Sequence, residues 1–137
     1  MIVVDTNILA HFWLPSDQTD LAEHVFQFDP EWAAPILWQS EFRNVVAAYM
    51  RKSLVDYDIA VQIIQEAEQQ MADTTFSVQS WQVMRLVEGS SCSAYDCEFV
   101  ALAQEASIPL VTSDRQILDN FPKHAISPQQ FVAGKHS

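Results

Sequence analysis

The sequence predicts an α/β fold, a three-layer α/β/α sandwich built on a mainly parallel sheet of four or five strands. Short apolar, β-branched runs alternate along the chain with segments of helical periodicity. Strands separated by helices pair in parallel, because parallel neighbours need a long crossover connection. With 137 residues, 49% of them hydrophobic, residues 1–137 are expected to form a single domain around one core.

The elements follow in order. Ile2, Val3 and Val4 form a β-branched run, and residues 7–13 behind it read as a helix punctuated by Pro15 and Ser16. Residues 19–28 make a second helix. The segment 33–37 reads as a short strand that Pro30 and Pro35 limit in length or place at an edge. In residues 38–52, Phe42, Val45, Val46 and Tyr49 recur on one helical face, and Arg51 and Lys52 suit a helix C-terminus. Ile59, Ile63, Ala67 and Met71 mark another helix over 57–72, and residues 74–78 have strand character. A helix over 79–88 closes at Gly89. Ser93 and Asp96 form a capping box ahead of Phe99, Leu102, Ala103 and Ala106. Residues 108–112 read as a strand, Ser113 and Asp114 cap a short helix through Asn120, residues 124–126 form a last strand, and 128–133 a helical tail.

Composition narrows the function classes. No apolar run reaches the ~18 residues of a membrane span, and the start MIVVDTNILA lacks a basic leader and a small-residue cleavage site, so a cytoplasmic protein is expected. The two cysteines, Cys92 and Cys97, fit neither a zinc site nor a redox pair and are expected as reduced thiols. Seven Lys and Arg against eighteen Asp and Glu give a formal net charge of −11. A basic stripe is therefore absent, and any nucleic-acid chemistry must run through bound cations.

Asp5, Glu41, Asp96 and Asp114 each fall where a strand gives way to a helix or where a helix begins. Singly, each has an ordinary explanation as a cap or first-turn acid. Together they belong to one edge of the sheet, where open α/β folds bind ligands. Four carboxylates there repel one another unless cations intervene. Oxygen-only ligands select Mg²⁺ or Mn²⁺ over Zn²⁺. His11, His24, His124 and His136 are scattered and form no ligand pair. Glu98 lies two residues beyond Asp96 and points to a different helical face, so it is left out of the metal set.

Asp5-Thr6-Asn7 after an apolar strand, Ser40-Glu41 opening a long helix, Tyr95-Asp96 followed by CEFVALA, and Leu110-Val111-Thr112-Ser113-Asp114 closing a strand resemble a PIN domain over nearly the whole chain. Size and the absence of other domains resemble the VapC toxin branch of that family. The resemblance implies a metal-dependent endoribonuclease in which Asp5, Glu41, Asp96 and Asp114 are catalytic and hold one or two Mg²⁺ or Mn²⁺ ions. Such ions lower the pKa of a water that attacks phosphorus in line and stabilise charge on the departing oxygen. It also implies an RNA substrate, a homodimer and a cognate antitoxin. RNA rather than DNA rests on the resemblance alone.

Thr6, Asn7, Thr112 and Ser113 match polar positions beside those acids and are candidates to hydrogen-bond the carboxylates or a phosphate; turn and cap chemistry explains them equally well. Arg43 and Arg115 are candidates for gripping a phosphate, with solvated surface positions the commoner use of such residues. Of Trp13, Trp32, Trp38 and Trp81, at least half are expected in the core, the others stacking on bases or meeting a partner. A phosphatase or receiver-like reading fails on Asn7, where a second Asp is wanted, and on the absence of a suitable lysine after the late strands. The alternative that stays open is a catalytically silent PIN-like binding or scaffolding domain, whose sign would be loss of one or more of the acids.

Overall fold

The computed structural model describes residues 1–134. Five parallel strands form one sheet in the order β3-β2-β1-β4-β5: β1 Ile2–Val4, β2 Trp32–Pro35, β3 Thr75–Phe76, β4 Leu110–Val111 and β5 Ala125–Ile126. Among the described residues eight helices complete the sandwich: α1 Thr6–Trp13, α2 Thr19–Phe28, α3 Trp38–Arg51, α4 Tyr57–Gln70, α5 Ser80–Glu88, α6 Ala94–Ala106, α7 Arg115–Asn120 and α8 Pro128–Val132.

Strand order decides where a site can form. From β1 the chain lays β2 and then β3 outward on one side, then returns to place β4 on the other flank of β1 and β5 beyond it. Val3 therefore pairs with Ala33 of β2 and with Leu110 of β4. Between β1 and β4 the connections diverge, opening a crevice at the strands' carboxyl ends, the topological switch point at which such sheets bind ligands.

The central strand is buried along its whole length, as a strand covered on both faces must be. Helix α6 packs over β1, β2 and β4, with α5 against it; α1 packs on α2, α3 and α4, and α8 on α2. Cys97, Phe99, Val100, Ala101, Leu102 and Ala103 of α6 are all buried, so this helix is enclosed around most of its girth rather than along one stripe. Its predicted face included Ala106, which is exposed because the helix emerges there, and Ser107 ends it in the left-handed region at φ 56°. Ile59, predicted on the apolar face of α4, is likewise 46% exposed.

The first strand has the predicted bounds, and the other four are shorter than predicted at one or both ends. Residues 36–37, 74, 77–78, 108–109, 112 and 124 fall outside the strands, and Pro35 ends β2, although Ile36 N–H still reaches the Phe76 carbonyl at 3.0 Å. Trp32 and Trp38 are buried, as expected for half of the tryptophans; Trp13 donates to Gln70 at 2.7 Å, and Trp81 is 69% exposed. Cys92 and Cys97 are free and buried. His11 Nδ1 lies 2.9 Å from the Ser16 hydroxyl; His136 lies outside the described residues. Among the described residues no helix is long and apolar enough to cross a membrane.

Candidate metal centre

The chain reaches the crevice from four directions. Asp5 follows β1 and is the N-cap of α1, where Oδ1 accepts the Ile8 N–H at 3.1 Å. Asp114 follows β4 and caps α7, accepting the Ile117 N–H at 3.1 Å. Glu41 stands in the first turn of α3, and Asp96 in the first turn of α6, whose N-cap Ser93 accepts the Asp96 N–H at 3.1 Å. Asp5 and Asp114 serve the helix starts directly, accepting first-turn N–H groups that have no partner within the helix, whereas Glu41 and Asp96 are first-turn acids that cap nothing. Strand order brings the four starts together.

Two threonines fix the carboxylates. Thr112, fully buried and 107 residues from Asp5 in sequence, donates its hydroxyl to Asp5 Oδ2 and accepts the Asp114 N–H at 3.0 Å. Thr6 donates to Glu41 Oε1 at 2.7 Å. The Asp5 N–H bonds to the Val111 carbonyl at 3.3 Å, tying the ends of β1 and β4. All four acids line one cavity of about 250 Å³. Its apolar wall comes from Val45, Phe99 and Ile117, one helical turn beyond Glu41, Asp96 and Asp114 respectively.

The electrostatics join the same four residues. Burial pushes the Asp5 carboxyl up to about 6, against the hydrogen bonds from Thr112 and Ile8, and the charges of Asp114 and Glu41 push the same way as burial. Asp96 is also raised, first by burial and then by Asp114. These are carboxylates kept from water and near enough to repel, a situation that an added cation relieves. Among the described residues no three His, Cys, Asp or Glu side chains are gathered into a ready-made ligand set. The carboxylates face a shared space, with Asp5, Glu41 and Asp114 held by protein donors. A carboxylate offers about four lone-pair sites, so these hydrogen bonds leave capacity for a cation. An all-oxygen donor set around a small cavity fits a hard divalent ion.

The PIN domain model matches residues 2–123. The chain belongs to the PIN domain family. Solved structures share the fold: PAE2754 from Pyrobaculum aerophilum has a TM-score of 0.75 at 18% identity, over 98% of this chain and 95% of that one. A toxin-antitoxin complex from Klebsiella pneumoniae has a TM-score of 0.70 at 16% identity, over 93% and 98%. FitAcB from Neisseria gonorrhoeae has a TM-score of 0.70 at 16% identity, over 94% and 99%. No curated protein matches the sequence.

Other sequence candidates divide around the PIN-domain crevice. Thr6 and Asn7 line the acidic cavity, and Thr112 lies directly behind it. Ser113 and Arg115 instead line a neighbouring cavity of about 560 Å³. Arg43 is outside the acidic cavity, its guanidinium 3.5 Å from Glu68 of α4. Glu98 lines a third cavity with Ile36, Phe76 and Met84, in keeping with its different helical face, and its carboxyl is raised by burial and by Glu41. Sequence reasoning missed Asn44, which lines the acidic cavity one turn beyond Glu41. Its i+3 spacing was the available signal.

Proposed function

We propose that this PIN domain is a metal-dependent endoribonuclease, of the VapC branch, that hydrolyses RNA phosphodiester bonds as the toxin of a toxin–antitoxin pair. The observation that carries the reading is the convergence of Asp5, Glu41, Asp96 and Asp114, from four separate stretches of chain, on one cavity at the β1/β4 switch point. Membership of the PIN family supports the nuclease assignment, and fold similarity to a protein described in a toxin-antitoxin complex supports an antitoxin partner. The expectations of a homodimer and a cytoplasmic setting belong to the same reading.

Asp5, Glu41, Asp96 and Asp114 would hold Mg²⁺ or Mn²⁺. When bound, such an ion supplies Lewis-acid stabilisation of phosphoryl charge and a more acidic water. Thr112 fixes the orientation of Asp5, and Thr6 that of Glu41, so two of the carboxylates are positioned before substrate arrives. Asp96 stands in the first turn of α6 and Asp114 caps α7, and both line the cavity, where a carboxylate oxygen would be available to orient the attacking water. Val45, Phe99 and Ile117 limit bulk water on one wall. The net charge of −11 leaves phosphate binding dependent on the cations and on local positive groups.

The test is cleavage of a mixed structured-RNA pool by purified protein with Mg²⁺, Mn²⁺ or EDTA, beside Asp96→Asn as the contamination control. Metal-dependent cutting that the variant lacks supports the reading. Absence of cutting together with absence of Mn²⁺-induced thermal stabilisation would favour a silent scaffolding domain.

A further inference from the structure

The acidic cavity is rich in acceptors and poor in donors. Four of its lining side chains are carboxylates, three are the apolar Val45, Phe99 and Ile117, and among the described residues that line it none is Lys, Arg or His. The candidate arginines lie elsewhere, Arg43 against Glu68 and Arg115 in the neighbouring cavity. The Thr6 hydroxyl has a proton to give, but it is committed to Glu41 Oε1 at 2.7 Å. Two side-chain donors are left, the amides of Asn7 and Asn44.

We propose, building on the nuclease reading, that Asn44 touches the substrate, its amide NH₂ donating to a non-bridging oxygen of the scissile phosphate, with Asn7 as the companion donor from α1. The register of α3 puts it there. Glu41, Asn44 and Val45, at i, i+3 and i+4, all line the cavity, so α3 turns one face to it. Helices α1 and α3 pack together, and the bond from Thr6 to Glu41 ties their first turns. Asn7, next to Thr6, and Asn44, one turn beyond Glu41, therefore belong to the α1–α3 side of the cavity, while α6 and α7 bring Asp96 and Asp114. Asn44 does nothing for the fold that its position would require. Its side chain is exposed and makes no hydrogen bond among the described residues, and Asn is a poorer helix former than Ala in mid-helix.

A neutral donor suits this cavity better than a charged one. A guanidinium among four carboxylates would pair with them, as Arg43 does with Glu68, and take the place of a cation. An amide donates without that competition. It has an oxygen end as well, but the carboxylates already supply oxygen ligands, so the NH₂ end is what Asn44 adds to the lining. Ionised carboxylates only accept, and a phosphate oxygen turned toward them finds no proton except through these amides.

The experiment separates a phosphate donor from a cation ligand. Mn²⁺ is titrated by calorimetry into wild type and Asn44→Ala, and a fluorescein-labelled, mixed-sequence RNA decamer is bound by anisotropy in Ca²⁺, an oxygen-seeking cation, with the probe checked on a gel for integrity. Asn44→Asp, which keeps an oxygen and the shape but loses the NH₂, and Asn7→Ala are compared with Gln65→Ala, which removes an exposed amide of α4. The expected result is unchanged Mn²⁺ affinity in Asn44→Ala, with decamer binding about tenfold weaker, the loss of one hydrogen bond to a charged group. Asn7→Ala should weaken the decamer similarly, Asn44→Asp should weaken it further because it sets a like charge against the phosphate, and Gln65→Ala should change little. Melting curves of Asn44→Ala and wild type should coincide. Mn²⁺ affinity that falls in Asn44→Ala together with decamer affinity would make the amide oxygen a cation ligand and overturn the proposal. Equal decamer affinity in Asn44→Ala, Asn44→Asp and Gln65→Ala, or no decamer binding at all, also overturns it. Metal-dependent cleavage by the wild type alongside any of these results would leave the nuclease reading standing. Asn44-dependent binding without wild-type cleavage would overturn the nuclease reading and retain the phosphate contact.

Discussion

Replacing Asp5 by Asn should stabilise the cation-free protein at neutral pH while removing its response to Mn²⁺. In the fold the Asp5 carboxyl is pushed from 3.8 up to about 6, chiefly by burial. Each pKa unit corresponds to ~1.4 kcal/mol, so ionised Asp5 costs the cation-free fold about 3 kcal/mol. Between about pH 4 and 6 the folded chain retains a proton that the unfolded chain has released. Stability from this residue is therefore present below the lower value, falls as pH rises through the window, and is lost above about 6.

Asn keeps an oxygen for the Ile8 N–H but presents an amide where Thr112 donates, a mismatch worth roughly 1 kcal/mol. The net gain expected at pH 7.5 in EDTA is about 2 kcal/mol, or roughly 7 °C in a chain of this size. Circular-dichroism melts of wild type and Asp5→Asn at pH 7.5 and 4.5, with EDTA or Mn²⁺, measure it. The gap should close at pH 4.5, and Mn²⁺ should raise the wild type alone, because a ligand that binds only the native state stabilises it. A variant less stable than wild type at pH 7.5 in EDTA, or a gap independent of pH, would refute the reasoning.

Thr112→Val keeps the shape but removes the hydroxyl that bridges Asp5 and the Asp114 N–H; it should lose roughly 1–3 kcal/mol in denaturant titration and weaken Mn²⁺ affinity by about 10–100-fold. Phe42→Ala, at a fully buried position that stacks edge-on with Trp38, should lose about 3–5 kcal/mol by the same titration. Removing the guanidinium of Arg43, whose partner Glu68 is also partly exposed, should change stability by less than about 1 kcal/mol.

The order of strands and helices was legible because each element carries a local signal. Asp5, Ser93, Asp114 and Ser127 stand at helix N-caps, and the apolar runs at 2–4 and 110–111 became buried strands. The four acids were legible for the same reason, since helix starts after strands are predictable and the sheet edge gathers them. Strand order was not, because nothing local to residues 108–112 says that they pair with β1 rather than continue outward from β3. That pairing creates the crevice, and with it the bond from Thr112 to Asp5. The same long-range packing sends Arg115 into the neighbouring cavity and Arg43 toward α4. Periodicity also overstated burial at Ile59 and Ala106, where the apolar stripe runs past the part of the helix that has a neighbour.

Calorimetric titration of Mn²⁺ into wild type and into Asp5→Asn, Glu41→Gln, Asp96→Asn and Asp114→Asn tests most directly whether the four acids form one cation site. Saturable binding by the wild type, weakened in every one of the four variants, is the expected result. Absence of binding, or affinity unchanged across the four substitutions, would contradict the assignment of this crevice as a metal centre.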